Sequence, residues 1–217
     1  MKAVIFDFDG LMVDSEVISF KCFRDFLKQY DIPFPKETYV KSYPGKSTKV
    51  TLKIFKETYD LDCDLEQAMQ QIRDLETKYM QEDGVELKEG LRDLLSCLKE
   101  SGYRTAIATS SVKDRAMNII DQYGLRDFFD DFVFGSEVKR GKPYPDIFLK
   151  ACEKLNIKPE EAIVLEDSEA GIQAASDAHI PVICIPDMKY PAQTYADKAE
   201  AVFKSLNDMI DFIKHKS

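Results

Sequence analysis

The chain has 217 residues, a hydrophobic content of 44% and a formal net charge of −9. That length supports one substantial core with a small appended domain, and the acidic balance argues against nucleic acid as a partner, because phosphate backbones are held by clustered cations. No apolar segment approaches the roughly 20 residues needed to span a bilayer, and the N-terminus lacks the basic start and small-residue cleavage site of a signal peptide, so no membrane partner and a cytoplasmic location are expected.

The first strand is expected over residues 3–6. The run Val4-Ile5-Phe6-Asp7-Phe8-Asp9-Gly10 is apolar until it stops on two carboxylates one residue apart. Side chains alternate along a strand, so Asp7 and Asp9 can face the same way, and Gly10 allows an immediate turn. Strand tips are where open parallel sheets place ligands. For this segment alone, a solvated aspartate pair explains the pattern equally well.

Residues 15–30 carry a helical period with Val17, Phe20, Phe23 and Leu27 on one side. Two further helices are expected at 49–59 and 65–80, the second with Leu65, Met69, Ile72, Leu75 and Tyr79 in register. No strand is expected between 15 and 83. A helical module over 15–84 is therefore inserted after the first strand, and the remaining domain is built from 1–14 and 85–217.

From about Leu87 strands and helices alternate. Strands are expected at 104–109, 131–134, 162–165 and 181–185, and helices near 90–101, 113–123, 144–155, 168–178 and 206–214. This implies an α/β fold with a mostly parallel sheet covered on both faces. The strand at 104–109 ends on Thr109-Ser110-Ser111, which makes Ser110 a ligand candidate. Ser111 followed by Asp114 fits a capping box, so Ser111 is expected to cap the next helix. Gly141-Lys142-Pro143 holds a lysine between a flexible and a stiff residue, ahead of a helix that Pro145 starts. The strand at 162–165 terminates on Glu166-Asp167-Ser168, followed by Gly171 and a helix of small residues.

Five cysteines, Cys22, Cys63, Cys97, Cys152 and Cys184, show no paired spacing and offer neither a disulfide framework nor a zinc pattern. His179 and His215 are the only histidines. Oxygen donors dominate, which favours Mg²⁺.

The order Asp7-x-Asp9-Gly10, Ser110, Lys142-Pro143, Glu166-Asp167 resembles the haloacid dehalogenase superfamily and spans nearly the whole chain. The stretches Phe6-Asp-Phe-Asp-Gly-Leu-Met-Val-Asp14-Ser15-Glu16 and Lys142-Pro-Tyr-Pro-Asp-Ile-Phe148 are most similar to its phosphatase and beta-phosphoglucomutase-like branch. The resemblance implies a Rossmann-like core with a mobile all-α cap inserted at 15–84. It also implies Mg²⁺ held by Asp7, Asp167 and the backbone carbonyl of Asp9, with Glu166 as a ligand or acting through water. Asp7 would be the nucleophile, Asp9 the general acid and base, and Ser110, Ser111 and Lys142 the phosphate holders. A phosphate dianion beside four carboxylates needs compensating positive charge, which a divalent cation and Lys142 provide.

The partner is then a small phosphorylated metabolite, with a sugar or polyol phosphate as the family expectation and a monomer as the default. Beta-phosphoglucomutases resemble one another in a cap histidine and a cap arginine, at positions that fall here on Ser19 and Thr48. No histidine occurs in 15–84, which favours a phosphatase over a mutase, although Lys46 or Lys49 offers a substitute phosphate anchor. Tyr43, Lys46, Ser47 and Thr48 are candidates for substrate selection, with a plain exposed loop as the alternative. A phospho-accepting receiver domain shares strand-tip acids, a hydroxyl residue and a Lys-Pro. It lacks the helical insertion and the acid pair placed after the lysine.

Overall fold

The four apolar residues Ala3–Phe6 form β1, and all four are fully buried. Burial on both faces is the environment of a central parallel strand. In the computed structural model, which describes residues 1–216, six parallel strands lie in the order β3-β2-β1-β4-β5-β6. These are β2 (Arg104–Thr109), β3 (Asp131–Phe134), β4 (Ala162–Glu166), β5 (Val182–Cys184) and β6 (Ala201–Val202). Phe6 sits opposite Ile107 of β2 and opposite Leu165 of β4. The chain fills one side of β1 with β2 and β3, then crosses to the other with β4, so the carboxyl ends of β2, β1 and β4 flank the point of reversal. β6 was not expected. It is two residues long, and Val202 is exposed, so it leaves no apolar run to read.

Residues Met1–Val13 with Leu87 onward make one compact unit, and Asp14–Glu86 make another. The division falls where the backbone pairing changes. Val13 bridges Leu87, and the Lys88 N–H donates to Met12 within the first unit. The Asp14 N–H donates to Glu86 within the second.

The second unit holds α1 (Ser15–Lys28), α2 (Lys36–Ser42), α3 (Thr48–Tyr59) and α4 (Leu65–Glu82), with no strand. The buried side of α1 is Ile18, Cys22 and Phe26 together with Phe23 and Leu27, whereas Val17 and Phe20 are only half-buried. The expected stripe was therefore rotated by about one residue. Its centre is set by an aromatic cluster in which Phe55 meets Phe34, Tyr43 and Phe23 at centroid separations of 5.2, 5.2 and 5.5 Å. The sequence reading missed α2 because Tyr39 is its single buried residue.

Tyr39 also serves a charge. Glu16 is buried, and its carboxylate accepts hydrogen bonds from the Tyr39 hydroxyl and, at 3.0 Å, from the Gly45 N–H. Burying a carboxylate is tolerable only while such donors remain.

In the first unit, α5 (Leu91–Glu100), α6 (Lys113–Gln122), α7 (Asp146–Lys154), α8 (Glu169–Asp177), α9 (Gln193–Ala196) and α10 (Leu206–Lys216) follow the alternation. One face of the sheet presents Ala3 and Ile5, Ala106 and Ala108, and Ala162 and Val164, the period-two set of three adjacent strands. Ile147, Phe148 and Ala151 of α7 and Ile172 and Ala175 of α8 close over it. The small residues of α8, read from the sequence as a helix feature, let it lie close to the sheet. No described helix is long and apolar enough to cross a membrane, and all five cysteines are free.

Tyr39→Phe should lower stability by about 2 kcal/mol, since it removes a hydrogen bond to a buried charge. Adding Glu16→Gln should recover part of that loss, because a neutral amide is less costly to leave half-satisfied. Urea midpoints of the two variants check this, and no recovery in the double variant would contradict the buried-charge explanation.

Candidate active site

β1 and β4 are neighbours in register, so acids at their carboxyl ends emerge side by side. Asp7 follows β1 directly and Glu166 closes β4. Lys142 reaches in from the loop before α7 and places its ammonium between them, with Nζ 2.5 Å from Asp7 Oδ1 and 2.6 Å from Glu166 Oε1. The same ammonium lies 4.9 Å from the centroid of the buried Phe148 ring. The side chains of Lys142, Asp7 and Glu166 are 8%, 10% and 0% exposed.

One cation thus serves two carboxylates. Burial pushes the Asp7 carboxyl up to about 7; Lys142 opposes the shift, while Glu166 and Asp9 add to it. Burial also acts against the Lys142 ammonium, but Asp7 and Glu166 outweigh it and hold the lysine charged well above its ordinary range. The two directions agree, because the cluster carries one more negative than positive group.

Glu166 has both oxygens engaged. Oε1 takes Lys142, and Oε2 accepts the Asp167 N–H at 2.9 Å, the Ser168 N–H at 2.8 Å and the Ser168 hydroxyl at 2.9 Å. The turn into α8 wraps this carboxylate so closely that a Cβ at Gly171 would lie 1.8 Å from its carboxyl carbon. Gly10 has the matching role for Asp167. It turns at φ +82°, and a Cβ there would approach Asp167 Oδ2 to 2.3 Å.

Asp7, Glu166 and Asp167 each offer an oxygen within 4.8 Å of the others. The neighbouring Cys184 thiol is pushed up to about 12, chiefly by burial, so it stays protonated and the available donors are all oxygens. Such a set fits a hard divalent cation of the Mg²⁺ type. Asp7, Glu166 and Asp167 are thus the carboxylates that could hold it.

At the tip of β2, Ser110 is exposed. Ser111 is not the helix cap that its spacing suggested. The N-cap of α6 is Val112, which makes no side-chain capping bond. The turn is closed instead by Thr109, whose hydroxyl accepts the Ser111 N–H at 3.0 Å. The Ser111 hydroxyl is released to donate to Asp9 Oδ2, and Arg115 Nη1 lies 2.8 Å from Asp9 Oδ1 and 2.8 Å from Ser111 Oγ. Arg115 escaped the sequence reading.

The four candidates of the helical unit do not form one set. Tyr43 is buried in the aromatic cluster. Ser47 caps α3 by accepting the Val50 N–H at 3.4 Å. Thr48 opens that helix half-buried, and Lys46 is exposed.

Residues 4–185 match the family model for haloacid dehalogenase-like hydrolases. The chain belongs to this family. It is 33% identical to a phosphorylated carbohydrates phosphatase of Thermotoga maritima over 180 residues, covering 83% of this chain and 82% of the relative. It is 31% identical to the beta-phosphoglucomutase of Bacillus subtilis over 183 residues, covering 82% and 80%. A solved hydrolase of the same family from Entamoeba histolytica superposes with a TM-score of 0.82 at 26% identity, over 99% of this chain and 100% of that one. The enzyme is thus a haloacid dehalogenase-family hydrolase with a helical insertion.

Two outcomes follow from the geometry. Asp7 titrates at about 7 in the fold against an ordinary 3.8, so its contribution to stability is complete below about pH 3.8 and lost as pH rises through 7. With chelator present, Asp7→Asn should gain on the wild type across that window, by on the order of a few kcal/mol at pH 8. Urea midpoints from pH 5 to 8 measure it, and a difference that ignores pH would refute a buried Asp7 charge. Gly171→Ala should lower the melting temperature, although the same change in an open helix stabilises by roughly 0.5–1 kcal/mol. An unchanged or raised melting temperature would show that Glu166 can move aside.

Proposed function

We propose that this hydrolase is a Mg²⁺-dependent phosphatase of small phosphate monoesters, sugar or polyol phosphates, working through a phosphorylated Asp7. The observation that carries this reading is the buried Lys142 ammonium fixed between Asp7 and Glu166 at the strand tips. A cation so placed suits a dianionic group brought against carboxylates, and a neutral substrate would have no use for it.

Asp7 attacks phosphorus with a carboxylate oxygen while the ester oxygen departs, and Asp9 gives its proton to that leaving oxygen. Water then attacks the phosphorus of phospho-Asp7, Asp9 takes the proton, and inorganic phosphate and the free Asp7 carboxylate result. Lys142 and Ser110 hold non-bridging oxygens. Glu166 keeps Lys142 aimed through the Oε1 contact and is not needed as a ligand. Mg²⁺ would be held by Asp7, Asp167 and the backbone carbonyl of Asp9, and when bound it neutralises charge on the phosphoryl oxygens.

The helical unit is proposed as the cap that selects the substrate, with Lys46 as an anchor for a distal anionic group. A phosphomutase is the second reading, favoured by the Bacillus subtilis relative. The lack of any histidine in 15–84 weighs against it.

Phosphate release from a panel of sugar phosphates, run beside a coupled assay for glucose 6-phosphate formed from beta-glucose 1-phosphate with a bisphosphate activator, decides between the two. Free phosphate that requires Mg²⁺ supports the phosphatase, and isomerised sugar without release supports the mutase. Asp7→Asn should abolish turnover, and Lys142→Ala should lower kcat/KM by about 10²–10³-fold, the scale of losing one charge-stabilising donor. Full activity of Asp7→Asn with Mg²⁺ present would refute the mechanism.

A further inference from the structure

We infer that Arg115, with Ser111, is the positioning device for the Asp9 carboxylate, so that the turn after β2 and the first turn of α6 orient the general acid's side chain. The inference rests on the assignment of Asp9 as acid and base in the proposed mechanism.

Asp9 is held differently from Asp7. The Asp7 side chain is 10% exposed and fixed by a buried ammonium, whereas the Asp9 side chain is 31% exposed and lies beyond the end of β1. Its backbone is restrained on one side by the turn at Gly10, whose N–H donates to Val13. The side chain has two rotatable bonds, which contacts to its carboxylate oxygens can fix. The structure supplies that restraint from 102 and 106 residues away in the chain. Ser111 donates to one carboxylate oxygen, and Arg115 donates to the other at 2.8 Å. Arg115 also donates to the Ser111 hydroxyl at 2.8 Å, which turns that hydroxyl's proton toward Asp9. The three groups form a closed ring in which each fixes the next.

The Arg115 side chain is 17% exposed, so its guanidinium is largely withdrawn from solvent where it meets Asp9. A carboxylate meant to reach a leaving oxygen has to be within hydrogen-bond range of it, and a displacement of 1 Å costs on the order of 10²-fold in rate.

The test compares kcat/KM for p-nitrophenyl phosphate, whose leaving group departs without a proton, with kcat/KM for whichever sugar phosphate the release screen turns over fastest, whose alkoxide needs one. Arg115→Ala should lower the sugar-to-aryl ratio at least tenfold, and Arg115→Lys should restore part of it. Asp9→Asn should lower the same ratio further, and Arg115→Ala added to Asp9→Asn should change it less than threefold. Equal losses on both esters, or losses that multiply in the double variant, overturn the positioning role and leave the Asp9 assignment standing. A ratio unmoved by Asp9→Asn instead overturns the Asp9 assignment, and the inference with it. Thermal melts of each variant identify any loss caused by unfolding; should Arg115→Ala unfold, the Arg115→Lys ratio against the same Asp9→Asn background decides.

Discussion

A single ammonium shared by two buried carboxylates is the constraint on which this molecule turns. Breaking a buried ion pair by removing one partner costs about 3–5 kcal/mol, because the remaining charge is stranded away from water. Here the cluster holds two negative groups and one positive one, so even the intact arrangement carries an excess negative charge. The fold therefore keeps Asp7 in a state that a further cation would relieve. Stability and readiness for a ligand are opposed at the same oxygen, a common condition at functional sites.

The sheet order makes that constraint possible. Because β1 lies between β2 and β4, the acid after β1, the hydroxyls after β2 and the acid pair at the end of β4 all come to one rim. Two glycines then allow the approach to close. Gly10 admits Asp167, and Gly171 admits Glu166. Their role is an absence of volume, which explains why a helix former such as alanine is not found at 171 even though α8 is otherwise rich in it.

Much of this was legible in the sequence, and the exceptions share a cause. β1, β2 and β4 announce themselves as continuous apolar runs ending on polar residues, and three of the four helices of the insertion, all but α2, can be read from the sequence. Asp7, Lys142, Glu166 and Asp167 could be chosen because each stands at the end of such a run or between Gly and Pro. What could not be read depends on which neighbour a side chain meets. Ser111 has the spacing of a cap, yet the Thr109 hydroxyl closes the turn, and Ser111 goes to Asp9. Tyr43 sits in a loop-like stretch but packs against Phe34 and Phe55. The partner of Glu166 follows the same rule: a Glu-Asp pair suggests two equivalent acids, yet Glu166 meets Lys142 and Asp167 packs beside Gly10.

The placement of the insertion has a consequence for how the chain comes together. β1 is made first and occupies the middle of the sheet, yet Ala3 pairs with Arg104 on one flank and with Ala162 on the other. The helical unit, built from local contacts, can form during synthesis, while the fully apolar β1 waits for β2 and β4, which emerge well after it. Closing such long loops is entropically slow, and an unpaired hydrophobic strand is prone to associate with other chains in the interval. Synthesis in chain order thus leaves the segment that carries Asp7 without its flanking strands until β2 and β4 have been made, an interval in which an unpaired apolar strand depends on protection from aggregation.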